Sequence, residues 1–275
     1  MQETGNDNLK TLRQRLTIRV GGKSLSFSTA TLTNAEQPIT FEPYTVKSGI
    51  SMAANMREAL KTATLPVQGY KMAQVMIESP VLLVPLDKFK EEEIDTLYKH
   101  SFVGGTNPDK ILYNALPYLN CVAVFPINKD LKMVIDDHFA NVVYIAASVP
   151  VWHYLHRRSF TGARSKLYAY FHDGMVDIFS FQQNRFKYSN QFEVRHYNDA
   201  IYFILYVWRL LGLRPTHDEL HIVGEVPDKT AMTAELKKYL QRVYAINPSG
   251  DFNRAPATRI EGMPYDIMTL YTKGR

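Results

Sequence analysis

KLYAYFHDGMVDIFSF, residues 166–181, is the stretch whose reading decides the fold. Asp173-Gly174 stands between two runs of aromatic and β-branched residues. An Asp-Gly pair accepts the positive φ angles of a two-residue hairpin turn. Lys166 to His172 and Met175 to Phe181 therefore read as paired strands. Asn184-Arg185 supplies a second turn, and Phe186 to Val194 a third strand. The start of the chain has the same plan. Leu16, Ile18 and Val20 alternate with polar residues, Gly21-Gly22 follows, and Leu25 and Phe27 resume the alternation, which is the period of a half-buried strand. A third strand is expected near Ile39 to Val46, at a sheet edge because of Pro38 and Pro43.

Each meander then leads into a helix. In the first half Ser51 is a candidate N-cap ahead of Met52, Met56, Ala59, Leu60 and Ala63. Strands follow at Ala73 to Ile77, Val81 to Leu86, Ile111 to Leu116 and Cys121 to Phe125. Glu91, Glu92 and Glu93 open a short helix, and their charge suits its N-terminal dipole. A helix near Asp130 to Phe139 precedes a buried strand at Val142 to Ile145, and Pro150 is placed to begin another helix. In the second half Asn198 is the expected N-cap of a helix carrying Ala200, Ile204, Trp208 and Leu211. That helix is apolar on every face, which predicts full burial. Gly212 and Pro215 stop it. Leu220 to Val223 is a short buried strand ending at Gly224, and a last amphipathic helix is expected through Met232, Leu236, Leu240 and Val243. The shared order predicts a duplicated α/β unit, with residues 1–150 as the first lobe and 151–275 as the second.

Composition narrows the function classes. The 275 residues include 17 Tyr and 14 Phe, ample for a large core. Met1 to Lys10 is polar and expected to lack fixed structure. The first fifteen residues show no apolar signal segment, and the longest apolar run, Ala200 to Trp208, is too short to cross a bilayer. The single cysteine, Cys121, excludes an internal disulfide and a thiolate zinc site, and its apolar neighbours make it a buried strand thiol. These features predict a cytoplasmic chain.

The net charge of +5 sits in the second half: residues 1–137 balance fifteen bases with fifteen acids, and 138–275 hold seventeen against twelve. The basic stretch Arg157, Arg158, Arg164 and Lys166 reads as a solvated linker. Without an aromatic ribonucleoprotein box, a zinc finger or a Gly-X-X-Gly loop, nucleic acid is not an expected partner.

Two stretches carry a family resemblance. One is Val81 to Phe89 with the Glu91-Glu92-Glu93 helix. The other is YAYFHDGMVDIF (168–179), followed by LLGLRP (210–215) and LHIVGEV (220–226). Together they resemble an uncharacterised bacterial family with the fold of the actin-like ATPases, over about residues 15 to 272. The resemblance implies two ribonuclease-H-like lobes with mixed sheets around a cleft. It also implies where a nucleotide would sit. Actin-like sites place a carboxylate and glycines at the first hairpin of each lobe, for Mg²⁺ and phosphate, and a glycine-rich turn after a later second-lobe strand, for adenosine.

On that frame the candidates are Gly21, Gly22 and Lys23 in the first hairpin, Asp173 and Gly174 in the second, and Gly224 and Glu225 in the third turn. The ligand would be ATP with Mg²⁺. The first hairpin lacks the carboxylate, having Arg19 nearby instead, and the third turn has one glycine where two or more are usual. No Gly-X-Ser-X-Gly elbow or Walker A loop occurs. His153 and His156 lie three apart on a helix without a third ligand, so no metal is expected. Asp136, Asp137 and His138 read as an ordinary helix end. The leading expectation is a non-catalytic or degenerate actin-like scaffold or regulatory protein that binds a protein partner, with a homodimer left open. The alternative is a weak nucleotide-binding protein or ATPase using the inter-lobe cleft.

Overall fold

Both hairpins form where the turn chemistry puts them. In the computed structural model, which describes residues 15–30, 38–102 and 110–272, Val20 pairs with Leu25 and His172 with Met175. Met1 to Lys10 lies outside the described residues. The chain divides into two compact units, one of Met1–Pro117 with Cys121–Val149, the other of Tyr118–Asn120 with Pro150–Arg275.

In the first unit β1 (Arg15–Val20), β2 (Leu25–Ala30) and β3 (Ile39–Tyr44) form an antiparallel meander. Ser51 then caps α1 (Met52–Thr62), its Oγ accepting the Ala54 N–H at 3.1 Å. The chain returns as β4 (Met72–Ile77), parallel to β1, and later as β8 (Asn141–Ala146), parallel to β4. The sheet order is β3-β2-β1-β4-β8. Between β4 and β8 come β5 (Leu82–Pro85), α2 (Ile94–Ser101), β6 (Lys110–Leu116), β7 (Cys121–Ile127) and α3 (Lys129–His138). Strands β5, β7 and β6 make a separate antiparallel sheet whose core joins Val84, Ile111, Val122 and Val124 to Ile94 and Tyr98 of α2.

Strand β8, expected to be buried, is an outer strand with Val143 exposed. Among the described residues it pairs only with β4, so one edge has no strand partner. Part of that edge is closed by Asn114 of β6. Its side-chain amide donates to the Tyr144 carbonyl and its Oδ1 accepts the Ala146 N–H, both at 2.9 Å.

Helix α4 (Ser148–Ser159), which belongs to the second unit from Pro150 on, precedes a repeat of the meander as β9 (Lys166–His172), β10 (Met175–Phe181) and β11 (Phe186–Glu193). Helix α5 (Tyr197–Leu210) follows, then β12 (Glu219–Gly224) parallel to β9, α6 (Lys229–Leu236) and β13 (Val243–Ala245) parallel to β12. Short α7 (Pro248–Asp251) and α8 (Tyr265–Thr272) end the described chain. The order β11-β10-β9-β12-β13 matches that of the first unit's five-stranded sheet in position and direction. One sheet face packs on α5 and α6 through Leu167, Ile178, Ile204, Trp208 and Met232.

Four local expectations give way here. Helix α5 starts two residues early: Asp199, not Asn198, supplies the cap, accepting the N–H groups of His196 at 2.9 Å and Arg195 at 3.1 Å. The same helix is not buried all round, since Tyr202, Tyr206 and Leu210 are exposed. Val243 opens β13 rather than extending α6, because pairing with Leu220 outweighs a helical spacing that ends at Leu236. The basic stretch is no free linker either. Lys166 is buried, donating to the Arg158 and Thr161 carbonyls, and burial holds its pKa below the ordinary lysine value. Arg158 forms a close ion pair with Asp251.

Candidate functional site

The candidates of the first hairpin lie in a four-residue loop, Gly21 to Ser24. The Gly21 N–H donates to the Ser24 carbonyl at 2.8 Å, and Gly22 and Lys23 are exposed. Arg19 is 3% exposed, and its Nη1 donates to the Ser24 hydroxyl at 3.0 Å. A buried guanidinium thus stands behind this turn, on the strand that leads into it. It favours an anion but cannot organise Mg²⁺, which needs oxygen ligands.

The other four candidates come together at one end of the second unit's sheet. Asp173 and Gly174, with φ of 46° and 77°, are the central pair of a type I′ turn. Because β12 runs parallel to β9 with Gly224 opposite Phe171, the third turn lies beside that hairpin, and the Glu225 N–H donates to the Phe171 carbonyl at 2.9 Å. Glycine at 224 has a packing reason of its own. Its φ is +87°, and a Cβ there would stand 2.2 Å from the Phe171 carbonyl oxygen and 3.0 Å from the Tyr170 ring. Glu225 is exposed.

Behind the hairpin is a buried polar cluster absent from the sequence reading. His172 Nε2 lies 3.2 Å from Asp177 Oδ1, and its Nδ1 3.9 Å from Asp173 Oδ2. Gln191 Nε2 donates to Asp177 at 2.9 Å. The Tyr170 ring stacks on His172 with centroids 4.5 Å apart, and its hydroxyl donates to fully buried Asp266 at 3.2 Å. The available signal was Asp177 itself, a charge between Val176 and Ile178 on a strand otherwise reading as buried. Asp266, on α8, had none.

Among the described residues no group of three or more His, Cys, Asp or Glu side chains is placed to hold a metal. His153 packs edge-on to Tyr118, while His156 Nε2 lies 3.0 Å from the Gln183 carbonyl. Asp136 forms an ion pair with Lys132 and accepts the Tyr144 hydroxyl at 2.7 Å. Burial pushes the Cys121 thiol up to about 12, which leaves it protonated and unreactive at neutral pH. A cavity of about 550 Å³ in the second unit is lined by Arg158, Glu219, His221, Tyr244 and Asp251. It lies at the opposite end of β12 from the candidate turns, and its charged groups are already engaged: Arg158 with Asp251, and Glu219 with His221 and Arg164. No helix among the described residues is long and apolar enough to cross a membrane.

A family model described as "Protein of unknown function (DUF3822)" matches residues 3–243. The chain belongs to this family. A solved structure from Bacteroides thetaiotaomicron VPI-5482, described as a protein with actin-like ATPase fold and unknown function, is 28% identical. The match covers 92% of this chain and 98% of that one, with a TM-score of 0.79. A second similar structure is the PilM–PilN type IV pilus biogenesis complex, 12% identical over 94% of this chain and 97% of that one, with a TM-score of 0.57. Comparison with curated proteins gives no match. This DUF3822 protein therefore has the actin-like ATPase fold, as the hairpin motifs implied.

Proposed function

We infer that this DUF3822 protein is a non-catalytic actin-like protein that works by binding a protein partner. The observation that carries the reading is the first hairpin. Where phosphate and Mg²⁺ would need a carboxylate, the loop offers Lys23, Gly21 and Gly22, with Arg19 buried behind it. A triphosphate carries several negative charges, and catalysis requires a metal and a water held in fixed positions. Cations attract phosphate but position neither.

The second reading is weak nucleotide binding without turnover. It is favoured by the convergence of Asp173, Gly174, Gly224 and Glu225 at one sheet end, with His172 and Asp177 behind them. In this reading the second unit's turns hold the nucleotide without the fixed metal and water that turnover needs.

One experiment separates these readings from an ATPase. Phosphate release from Mg²⁺-ATP is measured for the native chain and for Asp173→Ala, beside a thermal-shift series with Mg²⁺-ATP and Mg²⁺-ADP. The expected result is no turnover above background in either protein. Turnover abolished by Asp173→Ala would overturn the non-catalytic reading. A nucleotide-dependent rise in midpoint without turnover would move the conclusion to the second reading.

A further inference from the structure

Helix α5 is apolar on all sides in sequence, yet the described residues cover only part of it. Ala200, Ile204, Val207 and Trp208 are buried in the second unit's core. On another face Tyr202, Tyr206 and Leu210 are 65%, 52% and 57% exposed. They recur at every fourth residue, so they form one stripe along the helix, and the Tyr202 and Tyr206 rings stack with centroids 6.3 Å apart. Lone exposed apolar residues are normal, but three large ones in a row on a rigid element mark an interaction surface. Tyrosine and arginine, both on this face, are enriched in interface cores.

Two cations stand toward the C-terminal end of the stripe, while Glu193 of β11, next to Phe192, is already paired with Arg195. Arg209 is exposed within a turn of Tyr206 and next to Leu210. Lys187, on outer strand β11, reaches the C-terminal end of α5 and donates to the Leu211 carbonyl at 3.2 Å. Neither has a carboxylate partner among the described residues. Asp199 is the only acid within α5, and its carboxylate is occupied by the N–H groups of Arg195 and His196. The platform is firm, because Phe203 stacks on Phe192 of β11 with centroids 4.4 Å apart.

We propose that the Tyr202–Tyr206–Leu210 stripe of α5 is the docking site for an acidic amphipathic helix of a partner protein. This deepens, and rests on, the partner-binding reading above. A partner helix laid along the stripe would present apolar residues at three- and four-residue intervals, the usual way a helix occupies an apolar surface. Its flanking carboxylates would meet Arg209 and Lys187, which sets orientation and excludes basic competitors. A second copy of this chain fits less well, since the one acid of α5, Asp199, is held by the N–H groups of Arg195 and His196 and offers Arg209 and Lys187 no carboxylate.

The test uses the full chain and two fluorescein-labelled helical peptides of about 18 residues, or five turns. One carries a leucine stripe flanked by glutamates; its twin has lysine at every glutamate. Anisotropy titrations are run with the native chain, with Tyr202→Ser/Tyr206→Ser/Leu210→Ser, and with Arg209→Glu. These are surface changes, and an unchanged thermal midpoint verifies folding. The expected result is binding of the glutamate peptide, binding of the lysine twin weaker by at least about tenfold, and a similar loss in the triple variant. Arg209→Glu should narrow or reverse the preference between peptides. No binding of the glutamate peptide, equal binding of both peptides, or full binding by the triple variant overturns the proposal. So does a sedimentation result in which the native chain is a dimer that the triple variant abolishes, because the stripe would then be a self-interface. ATP turnover would defeat the non-catalytic reading while leaving this result to stand or fall on its own.

Discussion

Replacing Gly224 with alanine should destabilise the second unit far more than the loss of one hydrogen atom suggests. Two penalties act together. At φ +87° an L-residue occupies the left-handed region, at roughly 1–2 kcal/mol. The new methyl would also stand 2.2 Å from the Phe171 carbonyl oxygen. That oxygen accepts the Glu225 N–H at 2.9 Å, so it cannot move without loosening the β9–β12 junction. Forced shifts of this kind cost about 1–3 kcal/mol. The sum is about 2–5 kcal/mol. Gly174→Ala is the matched control: φ there is +77°, but nothing lies within 4 Å of the added atom. It should cost only about 1–2 kcal/mol. Urea unfolding followed by far-UV circular dichroism reads both. If Gly224→Ala proves no more costly than Gly174→Ala, the steric argument is wrong, and the glycine would then have to be explained by something other than the Phe171 carbonyl.

Trp208→Ala, which empties a 3%-exposed indole from the α5 core, should lower stability by about 3–5 kcal/mol, and an unchanged urea midpoint would show that the helix packs elsewhere. Asp218 gives an acid-side prediction. Burial disfavours its charge, but hydrogen bonds from the Arg214 N–H, His217 and the Ser165 N–H outweigh that, and its pKa lies below the ordinary aspartate value. Its stabilising contribution is therefore complete above the unfolded value of about 3.9 and is lost as pH falls through the depressed folded value. Asp218→Asn should lower the thermal midpoint at neutral pH and flatten the fall in midpoint with acid; a variant with an unaltered pH profile would remove Asp218 from the account.

Much of the fold was legible because its signals are local. Asp173-Gly174 specifies a turn and a register at once, and the alternation of Leu16, Ile18 and Val20 specifies which side chains share a face. What was not legible depends on neighbours distant in sequence. The spacing of Met232, Leu236, Leu240 and Val243 is helical throughout, yet a strand partner at Leu220 claims Val243. Val142 to Ile145 is as apolar as an inner strand, and only the sheet order makes it an outer one. The candidate site divides in the same way. Two glycine-bearing turns could be read, and the parallel register of β12 on β9 brings them together. The buried Arg19, and the cluster of His172, Asp177 and Asp266, depend on where side chains point once sheets and α8 are assembled.

Asn114 has a consequence for self-association. An outer strand offers unpaired peptide groups to any passing chain, and proteins blunt that hazard with charges, prolines or cover. Here a side-chain amide imitates a strand's own backbone, satisfying Tyr144 and Ala146 without extending the sheet. The imitation ends after one residue, so that stretch of the edge is capped rather than extended. Asn114→Leu would leave that stretch of β8 open, and the first sign should be turbidity on refolding rather than a lower melting point.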